Sequence, residues 1–233
     1  MFGNLSEIIP HNPETWQSRR FMTFDIDWCH DEVLEDTIEL VEKANIAATW
    51  FITHHTSCIE RLRANPKFEL GIHPNFNDLL QGDFRNGKTA EEVVDRLLEI
   101  VPEAKSVRSH SMTQSSRLLD LFANKGLTHD ANHFIPLQAG ISLKPYIHWN
   151  GMIKVPYCWE DDVAIIYEDF EPSQALSSLM VFDFHPIHVF LNTEQMDRYE
   201  RTRHEHGNPS KLKGYRFDGV GSRDYLQQLM GLI

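Results

Sequence analysis

The run Ala47 to Thr53, AATWFIT, restricts the fold more than any other stretch of the chain. Seven consecutive apolar, aromatic or β-branched residues, without polar alternation, read as a strand buried on both faces. Such strands belong to parallel sheets covered by helices, and the flanking sequence supplies the partners. Upstream, His30 to Asn45 carries Val33, Leu34, Thr37, Ile38 and Val41 at three- and four-residue steps, which predicts an amphipathic helix. Asp31, Glu32 and Glu35 suit its first turn, where the helix dipole favours negative charge. Before it, Arg20 to Ile26 predicts a strand through Phe21, Met22 and Phe24. Strand, helix and strand in succession set an α/β class.

The alternation continues. A short helix is expected over Ser57–Ala64, and a strand over Phe68–Ile72 ends at His73-Pro74. Thr89 to Val101 predicts a helix boxed by Thr89 and Glu92, then Ser106-Val107 a brief strand and Gln114–Asn124 a helix, with Gly126 as its left-handed cap. Leu127 to Phe134 predicts a strand. Between Ile135 and Asp162, Pro136, Gly140, Pro145, Gly151 and Pro156 favour loops and hairpins. Leu179–Phe184 is a late strand ending at His185-Pro186, and Ser222–Leu232 a closing helix. No linker interrupts the 233 residues, so one catalytic domain is expected over 1–233, with an irregular lead-in over 1–19.

Composition excludes several classes. At 41% hydrophobic and 24% charged residues, the chain has the make-up of a globular domain rather than a disordered one. A formal net charge of −12 argues against nucleic acid as a partner, since that needs cations to displace counterions from phosphates. Cys29, Cys58 and Cys158 are odd in number and lack CxxC spacing, so neither a disulfide framework nor a cysteine zinc site is expected. No membrane span or secretory leader is visible, and a cytoplasmic location is expected.

Polar residues collect where strands end. In a barrel of parallel strands the active site forms at the C-terminal face. Here the exits carry Asp25 and Asp27, then His73 and Asn77, Arg108 and His110, Asp130, and Asp183 and His185. On a regular strand Asp25 and Asp27 share one face, and two carboxylates so placed repel unless a proton or a cation lies between them. A solvated turn would also explain the pair alone. The other exits favour a metal or acid/base site.

These residues resemble the polysaccharide deacetylase (NodB-homology) family, and within it the WbmS-like O-antigen-cluster branch. The resemblance spans roughly Arg20 to Leu191 and rests on several motifs in order. It implies a distorted (β/α) barrel and a metal-dependent hydrolase that removes an acetyl group from an N-acetylated sugar. Thr23-Phe24-Asp25-Ile26-Asp27 is similar to the first motif, with Ile26 interposed; by that match Asp25 is the general base and Asp27 a metal ligand. His73-Pro74-Asn75-Phe76-Asn77 is similar to the second, in which two histidines ligate; Asn77 stands where the second histidine belongs. Arg108 in Val107-Arg108-Ser109-His110 matches the arginine that pairs with the base. Pro156-Tyr157-Cys158-Trp159-Glu160-Asp161 loosely matches the pocket-lining motif. Phe182-Asp183-Phe184-His185-Pro186 matches the motif ending in the general-acid histidine.

The resemblance therefore implies catalytic Asp25, Arg108, His185 and Asp183, a divalent ion, most readily zinc, on Asp27, His73 and Asn77, and substrate contacts from His110, Asp130 and Trp159. Amide hydrolysis at neutral pH needs an activated water, a polarised carbonyl and a proton for the leaving amine. A divalent cation serves the first two, lowering the pKa of its water from about 16 to about 7 in favourable zinc sites. Asp183 is expected to orient His185. An amide at position 77 is a weaker donor than imidazole, so loose metal binding is expected unless His110 or His188 takes that place. His54 and His55 follow a strand but match no motif, and pocket wall or surface is the expectation for them.

The segment from Arg198 to Arg216 holds six Lys or Arg against two Glu. It is either a solvated surface or a lid offering cations to an anionic, nucleotide- or lipid-phosphate-linked substrate. Two other activities fit parts of the pattern: hydrolysis of another non-peptide C–N bond with a weak or absent metal, and a glycosyltransferase whose DxD is Asp25-Ile26-Asp27. A silent sugar-binding module is a further alternative.

Overall fold

A computed structural model describes residues 1–167 and 179–233. Within them the alternation builds β1 (Arg20–Asp25), α1 (Asp31–Ala44), β2 (Ala48–Ile52), α2 (Ile59–Ala64), β3 (Phe68–Ile72), α3 (Asn77–Leu80), α4 (Ala90–Ile100), β4 (Ser106–Val107), α5 (Ser116–Asn124) and β5 (His129–Asp130). A hairpin of β6 (Tyr146–Ile147) and β7 (Ile153–Lys154) follows. Then come β8 (Trp159–Glu160), α6 (Asp161–Tyr167), β9 (Met180–Phe184), α7 (Pro186–Leu191), α8 (Met196–Thr202), α9 (Pro209–Leu212) and α10 (Ser222–Met230).

The strands form one sheet in the order β6-β7-β5-β4-β3-β2-β1-β9-β8, parallel except for the hairpin. Past its ladder the chain following β5 meets the chain entering β8. Phe134 bridges Tyr157, the Ile135 amide donates to the Tyr157 carbonyl (2.9 Å), and the Tyr157 amide donates to the His133 carbonyl (2.9 Å). The curled sheet is thereby the distorted half-barrel expected of the deacetylase class.

Double-sided burial explains the apolar runs. All five residues of β2 are buried, and Phe24 of β1 stacks on Trp50 with ring centroids 4.2 Å apart. Helix α1 turns Val33, Leu34, Thr37, Ile38 and Val41 inward, as its spacing predicts. His30 Nδ1 caps it by accepting from the Glu32 amide, and Asn45, at φ 55°, ends it in the left-handed region that asparagine tolerates. At α4 the Thr89 hydroxyl accepts from the Glu92 amide, while the Glu92 carboxylate reaches the amide of Lys88, one residue before the expected partner.

One region differs from expectation. The strand expected over Leu127–Phe134 pairs as a strand only at His129–Asp130, because the Asp130 carboxylate accepts from the Asn132 amide (3.0 Å) and Asn132 Oδ1 accepts from the Ser109 amide (2.7 Å). Side chains there replace ladder bonds. Beyond His185 the chain turns at once into α7, with Pro186 in its first turn, where the missing N–H costs nothing. The basic segment forms α8, α9 and short 3-10 turns. Among the described residues no helix is long and apolar enough to cross a membrane.

Gly71, the fourth of the five residues of β3, has no room for a side chain: a Cβ there would lie 2.8 Å from the Phe51 ring and 2.8 Å from the Ser106 carbonyl oxygen. Gly71→Ala should cost about 1–3 kcal/mol of stability, the usual range for overpacking. Urea unfolding measures it, and an unchanged midpoint would show that β3 and β4 can separate freely at this point.

Candidate active site

The site is built around a buried cation. Arg108 leaves β4 only 1% exposed, with its guanidinium carbon 4.7 Å from the Phe51 ring centroid and 4.4 Å from that of Tyr157. Its Nη1 donates to Asp25 Oδ1 (3.0 Å), to Thr23 Oγ1 (3.0 Å) and to Asp183 Oδ1, and its Nε donates to the Ala131 carbonyl (3.2 Å). Burial raises the pKa of both acids, and Arg108 works against that rise. Asp183, expected to orient His185, is instead a partner of Arg108 and of the Thr23 hydroxyl (2.7 Å).

Asp25 and Asp27 do not stand side by side on a strand. β1 ends at Asp25, Ile26 is buried in the core, and Asp27 and Trp28 take φ values of 35° and 54°. The left-handed turn carries Asp27 round to the far edge of the His73 ring. Asp25 Oδ2 lies 3.4 Å from His73 Nδ1, and Asp27 Oδ1 lies 3.3 Å from His73 Nε2.

His110 completes a cluster at that second edge. Its Nδ1 is 3.3 Å from His73 Nε2 and 3.5 Å from Asp27 Oδ1. Three donor atoms therefore form a nearly equilateral triangle, and these three residues can hold a metal ion. Zinc–ligand bonds of about 2.0–2.1 Å in tetrahedral array place neighbouring donors about 3.3–3.4 Å apart, which these separations match. The donor set, two imidazoles and a carboxylate, suits zinc and similar divalent ions. Burial opposes charge on Asp27, but the hydrogen bond from His110 outweighs it and holds its pKa well below the usual carboxylate range. His73 is pushed down to about 3, mainly by burial, so it is the neutral ligand form. Asn77 heads α3, and its amide donates to Ser111 Oγ (3.1 Å). The third corner is thus occupied by His110, expected as a substrate contact and, with His188, as the alternative to Asn77.

His185 ends β9 as expected, but its orienting acid is Asp161. Asp161 Oδ1 pairs with His185 Nδ1 (2.8 Å), and Asp161 Oδ2 accepts from the His185 amide (3.0 Å). His185 Nε2 thereby faces the cluster, 3.6 Å from Asp27 Oδ2. Burial alone would lower the His185 pKa, yet Asp161 raises it well above the ordinary imidazole value. Burial lifts Asp161 to about 6, so the pair carries the proton on histidine at neutral pH.

Two cavities meet at Asp27, His110, Asp162 and His185. A small one of about 150 Å3 is lined also by Asp25, Arg108, Tyr157 and Glu160, and a larger one of about 620 Å3 opens past Trp28 towards α8. Neither expected wall residue lines them. Trp159 is buried against Phe184, with ring centroids 4.8 Å apart, while Asp130 pairs with Lys154 Nζ (2.6 Å), both side chains fully buried. Asp130 instead braces Asn132, which holds the Ser109 amide beside Arg108. His54 bonds Thr53 Oγ1 (2.7 Å), which accepts from the Trp28 amide (3.2 Å), so it lies behind the Trp28 turn. In the basic segment Arg216 pairs with Asp36 and Lys211 with Glu205, and Lys213 faces the acidic side of α1. From this segment Tyr199, Glu200, Arg203, His206 and Gly207 line the larger cavity, and Arg203 is the Lys or Arg among them. Sequence reading passed over Asp161, although it closes the fourth motif, and Trp28, which directly follows Asp27.

The sequence profile of the WbmS-like polysaccharide deacetylases matches residues 22–203. A crystal structure from Bordetella bronchiseptica, described as a polysaccharide deacetylase involved in O-antigen biosynthesis (WbmS), is 47% identical over 99% of this chain and 97% of that one, with a TM-score of 0.94. A polysaccharide deacetylase structure from Mycobacterium smegmatis is 14% identical over 98% of this chain and 94% of that one, with a TM-score of 0.50, a likeness of fold alone. No curated protein matches the sequence. The half-barrel and its profile define a hydrolase of the deacetylase class. More narrowly, the chain belongs to the WbmS-like polysaccharide deacetylases.

Arg108→Met would leave two buried carboxylates without their cation, and stability should fall by about 3–5 kcal/mol at pH 7. The penalty should shrink as the pH drops. Burial already raises the folded-state pKa of Asp183, and without Arg108 it rises further, so the folded protein binds a proton that the unfolded chain releases. Such a group favours the folded state at low pH and loses that contribution as pH rises through its folded pKa. Urea unfolding between pH 5 and 8 tests this, and a penalty independent of pH would contradict it.

Proposed function

We propose that this deacetylase removes the acetyl group from an N-acetylated sugar in O-antigen assembly in the cytoplasm, with a divalent ion held by Asp27, His73 and His110. The observation that carries this reading is the triangle of donor atoms at 3.3, 3.3 and 3.5 Å. Asp25 and His185 flank it. The 47% identical structure described as an O-antigen deacetylase supports the pathway assignment. A phosphate-linked carrier is the finer expectation, and Arg203 is the basic-segment cation that reaches the cavity to meet it.

A zinc-like ion on these ligands supplies Lewis acidity towards the amide carbonyl and makes water acidic enough to attack near neutral pH. Asp25 is the base. Arg108 occupies Asp25 Oδ1 and opposes the rise in its pKa; Oδ2, which lies 3.4 Å from His73 Nδ1, is the oxygen assigned to accept the proton of the attacking water. The water oxygen bonds to the acetyl carbon as the C–N bond breaks. His185 Nε2, on the side of the ring turned away from Asp161, gives its proton to the departing nitrogen. The products are acetate and the free amine of the sugar.

Three experiments follow from these assignments. His110→Ala should weaken zinc or cobalt binding at least about 10–100-fold, the loss that even an outer partner of a ligand causes, whereas Asn77→Ala should retain the metal. Asp25→Asn should keep the metal yet lose about 10²–10⁴ in acetate release, the typical contribution of a general base. Metal content by mass spectrometry and acetate release from N-acetylhexosamines decide both, and metal loss in Asn77→Ala but not His110→Ala would restore the asparagine as ligand. Asp161→Asn removes the charge that keeps His185 protonated. The alkaline limb of kcat/KM should then move to lower pH, because a general acid works below its own pKa; an unmoved limb would separate His185 from the proton transfer.

A further inference from the structure

The two histidines of the ligand triangle are held in different ways. His73 follows directly on β3, and its amide continues the ladder by donating to the Ile52 carbonyl (2.8 Å). His110 lies beyond the end of β4 and opens a 3-10 turn in which Ser111 and Met112 take φ values of 54° and 52°. Two bonds fix the backbone that delivers it. Its own amide donates to the Pro74 carbonyl (3.0 Å), and the Ser109 amide donates to Asn132 Oδ1 (2.7 Å). Asn132 thus does for Ser109 what a paired strand would do, past the point where β5 has ended.

Asn132 is itself gripped on every polar atom. Asp130 Oδ1 accepts from its amide (3.0 Å) and Asp130 Oδ2 from its Nδ2 (3.2 Å), while Gln114 Nε2 donates to its carbonyl (3.3 Å). Lys154 Nζ joins Asp130 Oδ1 (2.6 Å) to Gln114 Oε1 (3.2 Å), which closes a ring of these residues. Asp130, Asn132 and Lys154 are each no more than 1% exposed. Stability alone is a poor reason for such a ring. Taking a lysine and an aspartate out of water is costly, and a pair of this kind is often replaced by apolar residues of similar volume without loss. None of the four residues lines either cavity. The ring reaches the site through its bond to the Ser109 amide.

We infer that Asn132, held by Asp130 and Lys154, is the positioning residue for the third metal ligand: it fixes the Ser109 backbone so that His110 Nδ1 closes the triangle with Asp27 and His73. This rests on the proposed divalent-ion site. Asn132 acts on the reaction only through His110.

Cobalt(II) is the probe, since its absorption spectrum follows both affinity and coordination, and urea unfolding of each metal-free variant measures stability separately. Asn132→Ala removes the acceptor and should weaken cobalt binding at least about tenfold, the lower end of what losing a partner behind a ligand costs. Asn132→Asp keeps one oxygen for the Ser109 amide but sets the other against Asp130. It should be at least as unstable as Asn132→Ala and still bind cobalt more tightly. Leu226→Ala, which hollows the core beneath α10, should lose stability yet bind cobalt like the wild type. In His110→Ala protein, adding Asn132→Ala should weaken binding no further, because residues that act through one another are not additive. The inference is overturned if affinity follows stability across these variants, or if the losses at positions 110 and 132 add. A wild type that takes up no cobalt would overturn the ion site and the inference together. A wild type that binds it, with Asn132→Ala equal to it, overturns the inference alone.

Discussion

Burying Arg108 between two aromatic rings and two carboxylates is the constraint on which the site depends. A lone guanidinium in that position would cost several kcal/mol, and so would either acid without it. Together Asp25 from β1, Asp183 from β9 and the Ala131 carbonyl beyond β5 neutralise and orient it. One side chain thus ties β1, β9 and the chain beyond β5 together across the curled sheet. The base, the strand leading to the acid and the cluster at His73 all take their positions from elements that Arg108 joins.

The long elements were legible in the sequence because their signals are local. AATWFIT became a strand buried throughout, and the heptad-like spacing of α1 turned the expected residues inward. What was less visible depended on contacts distant in sequence. β5 shrank to two residues because Asn132 found the Ser109 amide, 23 positions away. Asp25, Arg108 and His185 were readable as strand-end residues, since the barrel geometry delivers such residues to one face. Which histidine stands third beside Asp27, and which acid holds His185, were not readable. His110 arrives through a 3-10 turn and Asp161 through the pairing of β8 with β9, and neither leaves a periodic trace.

The site also divides its labour by cavity. Asp27, His110, Asp162 and His185 line both spaces, so the reacting bond belongs at the waist between them. The smaller side contains the base and its arginine, and the larger side contains rings with little net charge. Such a layout separates the groups that move protons from those that recognise the rest of the substrate.

The mouth of the site includes two turns whose backbones sit in the left-handed region without glycine: Asp27-Trp28 at 35° and 54°, and Ser111-Met112 at 54° and 52°. Each such residue costs on the order of 1–3 kcal/mol, which well-packed surroundings must offset. Glycine at these positions would relax the backbone, but it would also strip a ligand and a wall from the site. Selection for heat resistance alone would therefore push this enzyme towards a sturdier and less capable molecule, and an engineer seeking thermostability should look to its loops and helix caps before its mouth.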